Sequence, residues 1–285
     1  MFLRKLRISI AKVIIPVLYK IILLLKANTR AINFFNEKRK NANNTYNFQK
    51  SIEELLGDKK LIGLDVGAQG GFNSDEFFPK KYNKYFNSIL VEPLMNALKD
   101  EQQKNIIKKG LWSSKGARKI YILNKRPQSS SMYEPDKKAL SIYDFKEKDF
   151  HLFDVGNTEM VECDRLDSSL KNLNVDNLDY LKIDTQGAEF EILKGLGGYK
   201  PLMIKCEVQV FPMYKKEPGW TEVTDTLYKL GYMISDWKEI GSHATKTPVE
   251  MDMVFIPNFL LDSGKELILK KEKEFISLML ISGQI

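Results

Sequence analysis

Cysteine and histidine are scarce in this sequence. Its 285 residues include two cysteines, Cys163 and Cys206, and two histidines, His151 and His243. Neither cysteine lies in a C-x-x-C motif, so the chain has no disulfide framework, and a histidine-built metal site is not expected. We therefore predict two buried free cysteines in a reducing compartment and no metal ligands among the site residues.

The sequence also lacks the G-x-G-x-x-G motif of dinucleotide-binding folds. Its most prominent glycine turn runs from Asp65 to Gly71, where Gly67 and Gly71 are four residues apart and an acid precedes the turn. A carboxylate at that position would repel a pyrophosphate. This argues against an enzyme that uses NAD or a nucleotide-sugar, although the same fold can serve either function.

Beyond residue 50 the sequence has no excess of positive charge. Residues 1–50 hold eleven Lys or Arg and one acid, a net charge of +10, whereas the rest of the chain carries −3. A nucleic-acid enzyme would be expected to spread positive charge over its catalytic face. We therefore expect no nucleic-acid partner.

The basic N-terminal segment contains an aliphatic stretch at residues 8–25. At 100° per residue, Lys5, Ser9, Lys12 and Lys20 fall on one side of a helix, which is typical of a helix lying in a membrane interface. Two alternatives stay open: a helix packed on the protein itself or on a partner subunit, and a true span, since 18 residues is about the minimum length. We expect a cytoplasmic protein with peripheral membrane contact through residues 1–30, on the inner face of the membrane, and a polar linker at 36–50.

From residue 51 onward, apolar runs alternate with helical patterns. This alternation predicts an α/β fold: a doubly wound, mostly parallel sheet with helices on both faces, closed by a late antiparallel strand pair. We place a leader and linker at 1–50, one domain at 51–258 and a C-terminal helical tail at 259–285. The predicted strands are 61–66, 88–93, 105–112, 179–184 and 202–210, the late pair is 231–237 and 252–257, and the predicted helices are 51–60 (capped by Ser51), 93–103, 187–195 and 264–285.

Two acids mark a candidate cofactor site at the ends of the first two strands. In an open α/β sheet, ligands bind at the carboxyl ends of the strands. Asp65 precedes the glycine turn and Glu92 ends the second strand. A carboxylate at Glu92 can accept hydrogen bonds from both ribose hydroxyls, and an acid at Asp65 favours a cationic, phosphate-free ligand. The plain alternative is an ordinary glycine turn with two solvated acids.

The segment from Asp179 to Gly195, which reads DYLKIDTQGAEFEILKG, resembles the FkbM family of methyltransferases that use S-adenosylmethionine (SAM). The turn at residues 65–71 is similar to the family's D-x-G-A-x-x-G, with Gln69 where Asn is usual. Further similar positions are Val91-Glu92-Pro93, Gly110-Leu111-Trp112-Ser113, Ser130-Ser131, Val161 to Leu170 with Arg165 where Thr is common, Glu207, and Asp252 to Phe255. The resemblance covers about residues 60–257.

The resemblance implies a class I methyltransferase fold, SAM as cofactor, and O-methylation of a hydroxyl on a sugar, glycan or lipid-linked acceptor. As catalytic residues we expect Asp184 first, then Glu207 and Glu189; a helix N-cap for Asp184 and helix-end electrostatics for Glu189 are the alternatives. His243 lies in a late polar loop that could cover an acceptor. A non-catalytic membrane-tethered scaffold remains a second hypothesis, and the sequence carries no signal for the oligomeric state. The expected cofactor-binding residues are Asp65, Gly67, Ala68, Gly71, Glu92 and Asp184.

Overall fold

Seven strands form the central sheet of the computed structural model, which describes residues 48–94, 105–143, 145–240 and 248–284. The bounds of these strands are β1 Leu61–Val66, β2 Phe86–Val91, β3 Ile106–Ile107, β7 Tyr180–Ile183, β8 Met203–Gln209, β9 Tyr232–Ile240 and β10 Glu250–Pro257. Their order across the sheet is β3-β2-β1-β7-β8-β10-β9. The first five strands in this order are parallel to their neighbours, and β10 is antiparallel to both β8 and β9.

The remaining three strands form a separate small sheet between β3 and β7 in the sequence. They are β4 Gly110–Leu111, β5 Gly116–Ile122 and β6 Asn157–Asp164, in the order β4-β6-β5. β5 and β6 are antiparallel, and β4 is parallel to β6. This sheet was not predicted, and it matters for function because one of its faces closes the candidate site.

Two apolar clusters cover the faces of the central sheet, because successive side chains of a strand point to opposite faces. Leu64 and Val66 of β1 belong to one cluster, whereas Leu61 belongs to the other. The first cluster includes α2 Leu166–Asn172, α3 Glu189–Lys194 and α4 Trp220–Lys229; the second includes α1 Gln49–Leu56, α5 Asp262–Lys270 and α6 Glu272–Ile281. The expected mixed α/β fold with a mostly parallel sheet is confirmed, and helices on both faces are consistent with a Rossmann-like domain.

Several predicted elements need correction. The strand expected at 105–112 is two short strands in two different sheets, since the chain leaves the central sheet at Lys108–Lys109. The first helix begins at Gln49 and Phe48 precedes it, so Ser51 lies inside the helix and does not cap it. The expected C-terminal helix is two helices that contribute Ile268 and Phe275 to the core.

The late strand pair is confirmed at one edge of the sheet, where β9 and β10 pair antiparallel over eight register positions. Residues 1–47 of the leader and linker expected at 1–50, most of the helix expected at 93–103, and His243 lie outside the described residues, whereas Gln49 and Lys50 belong to the first helix. Within the described part of the chain, no helix is long and apolar enough to cross a membrane.

Candidate functional site

A cavity of about 750 Å³ lies between the carboxyl ends of β1, β2 and β7 and one face of the small sheet. This volume falls within the usual range for ligand sites, about 300–1,000 Å³. Of the residues expected to bind cofactor, Gly67, Glu92 and Asp184 line it. The other lining residues are Val66, Gln69, Val91, Pro93, Leu94, Gly110, Leu111, Ile120, Ile122, Asn124, Pro127, Gln128, Ser130, Ser131, Met132, Asn157, Glu159, Thr185, Gln186, Ala188 and Ile192.

The turn after β1 is packed directly against the end of β7. Gly67 has φ +77°, and a β carbon on it would overlap the peptide oxygen of Asp184. The amide of Asp184 donates to the carbonyl of Val66 at 3.0 Å. Glycine is therefore required at position 67 for both its backbone conformation and the close approach. Ala68 and Gly71 belong to the same turn but do not line the cavity; the amide of Gly71 donates to Ala68.

Asp65 does not line the cavity, because it is committed to a buried ion pair. Its Oδ1 lies 3.2 Å from Nζ of Lys182, and its Oδ2 accepts the amide of Asn73 at 3.0 Å. Burial raises the pKa of Asp65, against the opposing charge of Lys182 and the Asn73 amide. The residue thus anchors the loop after β1 to β7 from beneath the site.

Lys182 connects the tips of two strands. The same Nζ lies 3.4 Å from Oδ2 of Asp184, whose side chain is about a quarter exposed. Burial lowers the pKa of Lys182, but the carboxylates of Asp65, Asp184 and Asp75 outweigh burial and leave that pKa raised. The buried cation of Lys182 therefore contacts the cavity-lining carboxylate of Asp184 from the side of the protein interior.

Glu92 follows β2 and is almost fully buried in the wall of the cavity. Its Oε1 accepts the amide of Leu94 at 2.8 Å. Burial raises the pKa of Glu92 to about 7, and the Leu94 hydrogen bond opposes the rise only in part. A carboxylate can accept about four hydrogen bonds, so Glu92 keeps capacity for a ligand's hydroxyls.

Glu189 organises the loop between β7 and α3. Its Oε1 accepts hydrogen bonds from the amide and hydroxyl of Thr185 at 2.8 and 2.9 Å, and its Oε2 accepts the amide of Gly187 at 3.0 Å. Burial raises the pKa of Glu189 to about 7. The residue does not line the cavity. Its contacts are those of a loop-holding residue at a helix start, the alternative weighed in the sequence.

Glu207 does not line the cavity itself but contacts Gln186, which does. Gln186 Nε2 donates to Glu207 Oε1 at 2.7 Å, and Tyr214 donates its hydroxyl to Gln186 Oε1 at 2.9 Å. Gln186 holds a left-handed backbone at φ 57°, which is uncommon for a residue with a side chain. Burial, followed by the charge of Asp184, raises the pKa of Glu207 well above its usual value. Glu207 reaches the cavity through Gln186.

A family model described as the methyltransferase FkbM domain matches residues 65–234. This match covers more than half of the chain. The chain belongs to the FkbM methyltransferase family. The resemblance given by the residues is thereby confirmed, and the protein is a methyltransferase. No curated protein matches the sequence.

A second buried lysine accompanies Lys182 in this FkbM methyltransferase. Lys205 is its register partner on β8, and its Nζ lies 2.7 Å from both Asp75 and Asp252. Asp65 and Asp184 are thus paired with Lys182, and Asp75 and Asp252 with Lys205. Among the described residues, no group of three or more His, Cys, Asp or Glu side chains is placed to hold a metal ion.

Sequence reasoning missed the wall that the small sheet contributes to the FkbM methyltransferase cavity. Asn157 and Glu159 on β6 and Ile120 and Ile122 on β5 line it. The available signal was weak: Ile120 and Ile122 in GARKIYI, and Val161 and Cys163 in NTEMVECD, lie two residues apart, which is typical of one face of a strand. Ser131, noted in the sequence, donates its hydroxyl to the carbonyl of Gln186 at 2.5 Å and so fastens this wall to the β7 loop.

Proposed function

We propose that this methyltransferase takes its methyl group from SAM and transfers it to a hydroxyl of a sugar or a glycosylated, including lipid-linked, acceptor. One observation carries the proposal: the cavity brings the carboxylates of Glu92 and Asp184 to one ligand-sized space beside the Gly67 turn. Carboxylates at the tips of β2 and β7, the two strands that flank β1, suit a positively charged nucleoside that carries no phosphate.

The residues present fit SAM in three respects. Gly67 lines the cavity, and its lack of a β carbon lets the turn pack against the end of β7 beside the ligand space. Glu92 keeps acceptor capacity for two ribose hydroxyls after its bond to Leu94. Leu94, Leu111 and Ile192 offer apolar surface for a base, and they line the same cavity. Asp65 acts through Lys182 and the loop, as a positioning residue.

Asp184 is the residue we assign to the acceptor. When bound, SAM supplies an activated methyl group at its sulfonium. The Asp184 carboxylate would orient the acceptor hydroxyl toward that methyl group and take up the hydroxyl proton as the new C–O bond forms and the methyl–sulfur bond breaks. Lys182 fixes this carboxylate from behind at 3.4 Å. Glu207 would act second, by holding Gln186 against the cavity at 2.7 Å.

The N-terminal segment supports a further part of the proposal. The amphipathic pattern of residues 8–25 and the charge of +10 over residues 1–50 favour contact with an anionic membrane surface. We therefore propose peripheral contact through residues 1–30 at the inner face of the membrane, which would suit a lipid-linked acceptor.

Isothermal titration calorimetry of the full chain with SAM, with its demethylated product S-adenosylhomocysteine (SAH), and with NADH tests the cofactor. We expect binding of SAM and SAH and none of NADH. Transfer of label from methyl-tritiated SAM to glycan acceptors then tests the reaction. Binding of NADH without SAM would contradict the proposal, as would methylation of an amine or carboxylate in place of a hydroxyl.

A further inference from the structure

The β5 and β6 side chains on the face of the small sheet that closes the cavity are not used by the contacts assigned to SAM. On this face the register places Ile120 opposite Glu159 and Ile122 opposite Asn157. All four side chains line the cavity. Asn157 Nδ2 donates to Glu159 Oε1 at 3.3 Å, so the two polar groups act as a pair at the exposed end of β6.

The loop after β5 extends the same surface with amides. Asn124 and Gln128 line the cavity beside Ser130, whose hydroxyl accepts the amide of Leu123 at 3.1 Å and fixes the loop to the end of β5. The surface therefore combines two aliphatic side chains with amides that donate and accept and a carboxylate that accepts. Sugars have matching chemistry, since they present C–H faces and hydroxyls that both donate and accept.

The charged residues that line the cavity are all acidic. Its charged lining residues are Glu92, Glu159 and Asp184, and no described residue that lines it is Lys, Arg or His. Nearby cations are engaged elsewhere: Lys182 lies between two carboxylates, and Arg118 stacks over Trp112 at 4.8 Å. Arg126, beside the lining residue Pro127, lies over the rings of Phe145 and Phe153.

We propose that this surface, defined by Ile120, Ile122, Asn124, Asn157 and Glu159, binds the acceptor, and that Glu159 selects an uncharged or amino-bearing sugar against an acidic one. A uronate or sugar phosphate in the cavity would meet three carboxylates and, among the described lining residues, no cation to pair with. An amino sugar would gain an ionic partner in Glu159. This inference rests on the proposed function, and it names the substrate class and a specificity-determining residue of the same site.

Three methyl glycosides that differ in one group test the selection: methyl glucoside, its C6 uronate and its 2-amino-2-deoxy form. Their dissociation constants are measured by calorimetry on the full-length chain saturated with SAH, for wild type, Glu159→Gln and Glu159→Lys. The matched control is Glu162→Gln, since Glu162 lies on the same strand and points away from the cavity-facing side. Melting temperatures confirm that the variants are folded.

We expect the uronate to bind wild type at least about fivefold more weakly than the neutral glycoside, as one unfavourable charge contact near a wet surface implies. The amino glycoside should bind at least as tightly as the neutral one. Glu159→Gln should narrow the difference between the uronate and the neutral glycoside, and Glu159→Lys should reverse it, with SAH affinity unchanged and Glu162→Gln equal to wild type.

Uronate binding as tight as that of the neutral glycoside would overturn the inference, and so would binding of none of the three to the SAH-loaded protein. If Glu159→Gln weakened SAH and left the selectivity unchanged, Glu159 would belong to the cofactor site. Those results leave the proposed function standing. Failure of SAH itself to bind would contradict the proposed function together with this inference, so the two failures are distinguishable.

Discussion

Gly67 and Asp184 lie so close that a β carbon on Gly67 would overlap the peptide oxygen of Asp184. The contact joins the turn after β1 to the end of β7, where the amide of Asp184 also donates to Val66 at 3.0 Å. The two strand tips that bracket the cavity are therefore held together by backbone, and the site depends on a residue without a side chain.

Gly67→Ala should destabilise the protein by about 3 kcal/mol or more, because it adds a steric overlap to the cost of a left-handed backbone. Gly57→Ala is the matched control: Gly57 has φ 56°, and a β carbon there meets nothing within 4 Å. Since its ψ of −127° lies outside the left-handed helical region, the control should lose about 1–3 kcal/mol from backbone strain alone, less than Gly67→Ala. Urea unfolding of both variants measures the difference, and equal losses would show that the close approach is unimportant.

Asp184→Asn should weaken SAM binding by less than about tenfold, since only one charge contact is lost, and should lose about 10²–10⁴-fold in turnover, the usual contribution of a general base. Asparagine keeps the shape of the side chain but cannot accept the hydroxyl proton. Single-turnover methyl transfer and SAM calorimetry separate the two effects. Asp225→Asn, in an exposed ion pair with Lys229, is the control. Turnover that survives the Asp184 change would exclude this residue as the base.

Asp65→Asn tests whether Asp65 contacts SAM or positions the residues that do. Because the side chain is buried against Lys182 and Asn73, we expect a loss of stability of about 3–5 kcal/mol, the range for breaking a buried ion pair. SAM affinity, measured well below the melting temperature, should change less than about threefold. A much larger loss of SAM affinity in a protein of unaltered stability would show that Asp65 contacts SAM directly.

Glu217 should make the protein less stable as the pH rises. Burial raises the pKa of Glu217 to about 8, while its unfolded value is about 4.5. The folded state then binds more protons than the unfolded state between these values, so stability falls as pH rises from about 5 to about 8. Glu217→Gln imitates the protonated form. Between pH 5 and pH 8 the variant should therefore lose about 1–3 kcal/mol less of its free energy of unfolding than wild type does. Melting curves at pH 5, 6.5 and 8 check it; an unchanged slope in the variant would contradict the assignment.

The strands that bear the site could be predicted, because short apolar runs ending in an acid or glycine are clear signals. β1 was predicted to the residue, and β2, β7 and β8 to within two residues at each end. The approach of Gly67 to Asp184 follows from parallel strands whose carboxyl ends share one edge.

Other features depend on packing that no local pattern encodes. Asp65 turns to Lys182 because β1 and β7 are register neighbours, a pairing across 117 residues. Glu189 is the first residue of its helix, and its side chain turns back to accept the hydroxyl of Thr185. The small sheet was missed because its strands are short or lie next to long irregular segments, and β4 has only two residues.

Glu92 offers the most direct test of the central claim, that a cavity-facing carboxylate at the end of β2 holds SAM. Since burial raises the pKa of Glu92 to about 7, its acceptor capacity for ribose hydroxyls should be reduced as the pH falls through that value. The measurement is the SAH dissociation constant of wild type and Glu92→Gln between pH 6 and 8.5. The account predicts that wild-type affinity rises with pH and that the variant binds at least about tenfold more weakly at pH 8, with a flat profile. Equal affinity of the two proteins at pH 8 would contradict it.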